Sequence, residues 1–145
     1  MEKMKVIVSA CLLGRNCKYS GGNNHAPAVV RYLEGKEAIP VCPECQAGLG
    51  TPRTPIEIVD GVLTCRDGTV VDAVLRRTAE SLAAELMAAG ADMAILQSRS
   101  PTCGVDRVYD GSFTGKLIPG SGVFAQALKG HGCRVVDAED LRDLL

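Results

Sequence analysis

Three short apolar runs in this chain each end just before a cysteine-bearing turn. Lys5-Val6-Ile7-Val8-Ser9 leads to Cys11, Ala38-Ile39-Pro40-Val41 to Cys42, and Met93-Ala94-Ile95-Leu96 to Ser98-Arg99-Ser100-Pro101-Thr102-Cys103-Gly104. Runs this short, aliphatic and bounded by Gly, Pro and Ser read as strands buried on both faces. Such strands need helices above and below them, and the rest of the chain provides the periodicity. Residues 28–33 give one or two helical turns. Over 72–89 apolar residues recur at Val71, Val74, Leu75, Ala79, Leu82 and Leu86, with Asp72 as N-cap, Gly90 as stop, and Arg76 and Glu80 four apart on the outer face. Residues 123–128 form a short helix, 133–136 a fourth strand, and 138–145 a final amphipathic turn or two capped by Asp137. Turns at Asp60-Gly61 and Asp110-Gly111 predict a hairpin over 57–65 and a tight turn within 108–113. The expected fold is α/β: one domain over residues 1–145, Rossmann-like and three-layered, with a mostly parallel sheet. In such sheets ligands bind beyond the carboxyl ends of the strands, where Cys11, Cys42 and Cys103 would meet.

Composition narrows the chemistry further. With 145 residues, 46% of them hydrophobic and none of them Trp, the chain can build an aliphatic core without disulfide staples. Its 16 basic and 17 acidic residues leave a formal charge of −1, so nothing drives the counterion release that holds proteins on nucleic-acid backbones. The apolar stretch after the charged start is broken at Ser9 and ends at Arg15, too short for a secretory leader. No run approaches the roughly 18 apolar residues of a membrane span. The expectation is a cytoplasmic protein with neither DNA nor a membrane as partner.

Seven cysteines in a chain of this kind point away from disulfides, which are rare in a reducing compartment. Metal binding, thiol chemistry and small buried hydrophobes remain. Cys65 and Cys133, within or beside strands, read as core residues, and Cys17 as a loop bystander. Cys11, Cys42 and Cys103 at one sheet edge read as a soft-metal site suited to an iron–sulfur cluster, zinc or Cu(I). Three thiolates on a four-iron cluster would leave one iron free to act as a Lewis acid. The Cys42-Pro43-Glu44-Cys45 pair does not fit a thioredoxin-like motif, because Gly48, Gly50, Pro52 and Pro55 forbid the long helix that should follow.

Near these thiols Glu44 has the position of a general acid–base or a ligand, set against an exposed loop charge. Ser100, three before Cys103, could bond a loop amide or a substrate oxygen. Arg53, Arg99, Arg107 and Lys116 lie in loops that could receive a phosphate. His131 reads as an exposed polar residue.

The ordered motifs Ser9-Ala10-Cys11-Leu12-Leu13-Gly14, Tyr19-Ser20-Gly21-Gly22, Pro40-Val41-Cys42-Pro43-Glu44, Thr51-Pro52-Arg53, Ser98 to Gly104 and Tyr109-Asp110-Gly111-Ser112-Phe113 resemble the DUF523 family, whose characterised branch is thiouracil desulfidase. The resemblance runs from Lys5 to about Val136. It implies a [4Fe–4S] cluster on Cys11, Cys42 and Cys103 with one iron not ligated by protein, an acid–base carboxylate at Glu44 and an active-site serine at Ser100. The implied partner is a small thiolated nucleobase or nucleotide, converted to its oxo counterpart with loss of sulfide and no net redox change. Cys45 stands where the family is expected to carry an aliphatic or small residue, and Ser20 where it often carries Asp or Asn. Two other classes fit the thiols: a sulfur carrier or cluster-holding accessory protein, and a structural zinc protein using Cys42, Cys45 and Cys11.

Overall fold

Strands as aliphatic as Lys5–Ser9 and Met93–Leu96 are hidden best in the middle of the molecule, and the computed structural model, which describes residues 3–144, places them there, with the half-buried Glu37–Val41 and Arg134–Asp137 at their outer sides. In chain order the elements are β1 (Lys5–Ser9), α1 (Pro27–Tyr32), β2 (Glu37–Val41), α2 (Pro43–Gln46), β3 (Ile56–Val59), β4 (Val62–Cys65), α3 (Asp72–Ala88), β5 (Met93–Leu96), β6 (Arg107–Tyr109), β7 (Leu117–Pro119), α4 (Val123–Gly130) and β8 (Arg134–Asp137). Tight 3-10 turns cover Ala10–Leu13 and Ala138–Leu144. β1, β2, β5 and β8 make one parallel sheet in the order β2-β1-β5-β8. From β1 the chain goes outward to β2, then returns to β5 on the other side. The strand order therefore reverses between β1 and β5, the place where α/β sheets open a crevice.

The pleat sends successive side chains to opposite faces, and both faces are covered. Ile7, Ala94 and Leu96 pack under Leu75, Ala79, Ala83, Phe124 and Leu128 of α3 and α4. Val6, Val8, Met93 and Ile95 pack under Leu12, Val29, Leu33 and Leu141 on the other side. The register pairs Val6 with Met93, Ile7 with Ala94 and Val8 with Ile95, so each face is continuous across the two central strands. Each fully buried Leu, Ile or Phe contributes about 1.5–3 kcal/mol. This is the three-layer, mostly parallel α/β fold expected from the sequence. No helix among the described residues is long and apolar enough to cross a membrane.

Several local expectations change. Asp72 is the first residue of α3 rather than its cap, and Val71 occupies the capping position without a side-chain bond. The Asp72 carboxylate instead accepts the Leu63 N–H at 3.0 Å and Arg76 Nε at 2.8 Å, tying β4 to the helix. Glu80 thus faces not Arg76 but His131, at 2.8 Å. Gly90, with φ +89°, ends the helix as expected. Asp137 does cap the last turn, accepting the Glu139 N–H at 2.8 Å; Leu145 lies outside the described residues. Asp60 and Gly61 both take positive φ, the geometry of a tight hairpin turn between β3 and β4. The turn at Asp110-Gly111 belongs to a wider hairpin, because β7 pairs with β6 only from Leu117.

Candidate active site

The crevice at the strand ends is a cavity of about 360 Å³, within the roughly 300–1,000 Å³ of small-molecule sites. Cys11 enters it from the turn after β1, Cys42 from the end of β2, and Cys103 from the loop after β5. Cys11 and Cys103 are buried and Cys42 is half-buried. Burial pushes all three thiols above their ordinary value, Cys103 most, with the Ser9 hydroxyl and, at Cys11, the Asn24 amide acting in the opposite direction. The Asn24 amide donates to Cys11 Sγ at 3.5 Å. Buried thiols without disulfide partners, held open around one crevice, are poorly stabilised as anions unless a cation joins them.

The Cys103 loop is held from two sides. Ser100 Oγ accepts the backbone N–H groups of Thr102 at 3.0 Å and Cys103 at 3.1 Å, the loop-amide option of the two expected for it. These bonds use the oxygen's lone pairs and leave its O–H able to donate into the cavity. From behind, the start of α4 donates to the loop, Val123 N–H to Pro101 and Phe124 N–H to Thr102. The approach is so close that a Cβ on Gly122 would stand 2.4 Å from the Thr102 carbonyl carbon.

Glu44, on α2, faces the cavity and is clamped. Arg53 Nε donates to its Oε1 at 2.9 Å, with Nη2 of the same guanidinium also 2.9 Å from that oxygen. Thr102 Oγ1 donates to Oε2 at 2.8 Å. Arg53 further donates to the carbonyls of Gly50 at 2.7 Å and Cys17 at 3.0 Å. Among the phosphate candidates, Arg53 lines the cavity but holds Glu44, and Arg99 pairs with Glu139 at 3.0 Å. Arg107 and Lys116 are exposed and do not line the cavity; Lys18 and Arg66 do.

Residues 6–140 match the sequence profile of the family described as 2-thiouracil desulfurase. The chain belongs to that family. It is 34% identical, over 97% of its length and 99% of the relative's, to the uncharacterized protein YbbK of Bacillus subtilis strain 168. It is also similar to a solved structure titled as the [4Fe-4S]-dependent thiouracil desulfidase TudS, at 36% identity and a TM-score of 0.89, covering 98% of this chain and 95% of that one.

The donor set can be tested against a cluster of that kind. Among the described residues, no three His, Cys, Asp or Glu side chains converge closely enough to hold a single metal ion. Cys11, Cys42 and Cys103 nevertheless line one crevice from three different elements. Thiols presented to one crevice from three different elements suit a four-iron cube, whose corners take thiolates from well-separated directions. The structural zinc reading, with Cys42, Cys45 and Cys11 around one ion, lacks the geometry it needs.

Three features escaped the sequence reading. Cys17 is no bystander: it lines the cavity beside Cys42, while Cys45 lies behind, bonded to the Cys17 carbonyl at 3.7 Å and to Arg53 at 3.8 Å. Thr102 and Arg53 fix the Glu44 carboxylate. Glu57, 7% exposed, is a carboxylate on the cavity wall. Only Glu57 left a trace in the chain, as a charge between Ile56 and Ile58 in a strand.

Proposed function

We propose that this protein removes sulfur from thiolated pyrimidines by hydrolytic, non-redox exchange, converting thiouracil to uracil. The observation that carries this reading is the gathering of Cys11, Cys42, Cys103, Glu44 and Ser100 around one cavity, in a chain 36% identical to a protein named as a thiouracil desulfidase. Cys11, Cys42 and Cys103 would hold a [4Fe–4S] cluster with one iron not ligated by protein. When bound, the cluster supplies that iron as a Lewis acid toward a thiocarbonyl sulfur.

The protein's own groups do the rest. Thiouracil plus water gives uracil plus hydrogen sulfide; a C=S bond is replaced by C=O, two hydrogens pass from water to sulfur, and no electrons are exchanged. Glu44 Oε1 is occupied by Arg53, whereas Oε2 accepts only the Thr102 hydroxyl and keeps a lone pair for water. Glu44 takes one proton of the attacking water at Oε2 and returns it to the leaving sulfur, and carries the second the same way as the new C=O bond forms. Ser100 donates its O–H to a substrate or product oxygen. Lys18 and Arg66 on the cavity wall suit the phosphate of a nucleotide substrate.

Protein loaded with iron and sulfide without oxygen is given thiouracil, and uracil and sulfide are measured together. The reading expects them in equal amounts from the wild type, and neither from Cys103→Ala. A loaded wild type that leaves thiouracil intact contradicts it and favours a sulfur carrier.

A further inference from the structure

Glu57 is a buried carboxylate with one oxygen engaged and the other open. Oε1 accepts the backbone N–H groups of Gly111 at 2.9 Å and Phe113 at 3.1 Å, anchoring the β6–β7 loop to β3. Oε2 has no partner among the described residues, where no sealed side-chain oxygen or nitrogen goes without one. That oxygen is therefore not sealed in the protein, and Glu57 is one of the residues lining the active-site cavity. Beside it stand Phe113 and Tyr109, also on the cavity wall. Phe113 is held at φ +58°, a conformation that costs about 1–3 kcal/mol for a bulky residue unless the surroundings impose it. The Glu57 bond to its N–H is part of that imposition. Arg66 covers the ring with its guanidinium 5.7 Å from the centroid.

An apolar ring slot with a lone carboxylate oxygen at its side matches a flat heterocycle that carries N–H donors. We propose that Glu57 is a specificity residue: its Oε2 accepts a ring N–H of the pyrimidine while Phe113 and Tyr109 flank the ring. This rests on the desulfidase reading for the choice of heterocycle. The carboxylate selects for uracil-type rings, whose nitrogens carry hydrogen, and against rings whose facing nitrogen is itself an acceptor. A site built around such an acceptor discriminates strongly, because a ligand without the donor shuts the carboxylate oxygen off from water without replacing the lost bond.

Glu57→Gln is the sharpest test, since the amide oxygen can still take the Gly111 and Phe113 N–H groups while the amide N–H₂ turns a donor toward the ring. Binding of uracil to the cluster-loaded protein is measured by calorimetry, beside kcat/KM for thiouracil. Glu57→Gln should bind uracil roughly 10- to 100-fold more weakly and lose a similar factor in kcat/KM, mainly through KM, with iron content unchanged. 1,3-Dimethyluracil, which has no ring N–H, should show the same loss on the wild type, and the two losses should not multiply. Should Glu57→Gln fail to fold, equal binding of uracil and its dimethyl form by the wild type still overturns the assignment. Equal binding of uracil and its dimethyl form, or unchanged uracil binding in Glu57→Gln, overturns the assignment. Uracil binding that depends on Glu57 in a protein that leaves thiouracil intact would uphold Glu57 and refute the desulfidase reading instead.

Discussion

The two walls of the cavity are built differently. The thiol wall hangs on the parallel sheet: Cys11 and Cys42 directly follow β1 and β2, and the Cys103 loop is bolted to α4 by backbone bonds. The opposite wall is made of two small antiparallel hairpins, β3–β4 and β6–β7, which pair with neither the central sheet nor each other. Few backbone bonds fasten them, among them Val71 N–H to the Leu63 carbonyl and a bridge between Arg99 and Val108, and carboxylates add to these: Glu57 holds the Gly111 and Phe113 amides, and Asp72 the Leu63 amide. A backbone-built wall places chemistry with little tolerance. A wall held by carboxylates can change which ring it receives without disturbing the thiols.

If the walls divide the work in this way, the largest effect on turnover comes from the carboxylate on the thiol side. Glu44→Gln should keep the cluster but lower kcat by roughly 10²- to 10⁴-fold, read as sulfide release at unchanged iron content. Loss of iron in that variant would mean that Glu44 supports the cluster rather than the proton transfer.

Next comes the backing of the Cys103 loop. A methyl group at Gly122 must displace the Thr102 carbonyl, and overpacking of this sort costs about 1–3 kcal/mol. Gly122→Ala should lower the free energy of unfolding by that amount and reduce iron uptake. A variant of normal stability and iron content would show that the loop is adaptable.

Smaller again is the effect of Thr102. Thr102→Val removes the hydroxyl from Glu44 Oε2 and should lower kcat about tenfold, while Thr102→Ser restores it. Equal kcat in both variants would remove Thr102 from the positioning of Glu44.

The smallest effect belongs to the Asp72 anchor of the hairpin wall. The Leu63 N–H and, after it, Arg76 hold the Asp72 carboxyl below its ordinary value of 3.8. A lowered carboxyl stabilises the fold at pH above that value, and the contribution disappears as pH falls through the lowered one. Asp72→Asn should therefore destabilise by roughly 0.5–1 kcal/mol at pH 7, and by less near pH 3, in urea unfolding at both pH values. A difference that does not shrink in acid would assign the anchor to packing.

What the chain reveals in advance follows the same division. β-branched and aliphatic runs ending at Cys11, Cys42 and Cys103 are local signals, and a parallel sheet turns them into one edge. The 72–89 periodicity likewise anticipates α3 to within a residue or so, and Asp60-Gly61 the hairpin turn. Asp72 misled because capping propensity competes with a tertiary partner, the Leu63 amide, that no local pattern shows. Arg53 reads as a free cation in a Gly- and Pro-rich loop until that loop folds back and brings it against Glu44. Cys17 moved from the margin to the cavity for a similar reason: its loop closes on the sheet edge through Asn24 N–H to the Cys11 carbonyl, at 3.0 Å. Thr102 could not be singled out, since its role depends on a carboxylate 58 residues away.

The claim that Cys11, Cys42 and Cys103 hold a four-iron cluster is tested most directly by metal and acid-labile sulfide analysis of protein prepared without oxygen, wild type beside the three single Cys→Ala variants. The account predicts about four iron and four sulfide per chain in the wild type, as in a [4Fe–4S] protein, and loss of both in each variant. One zinc and no labile sulfide in the wild type, or a full complement of iron in Cys103→Ala, would contradict it.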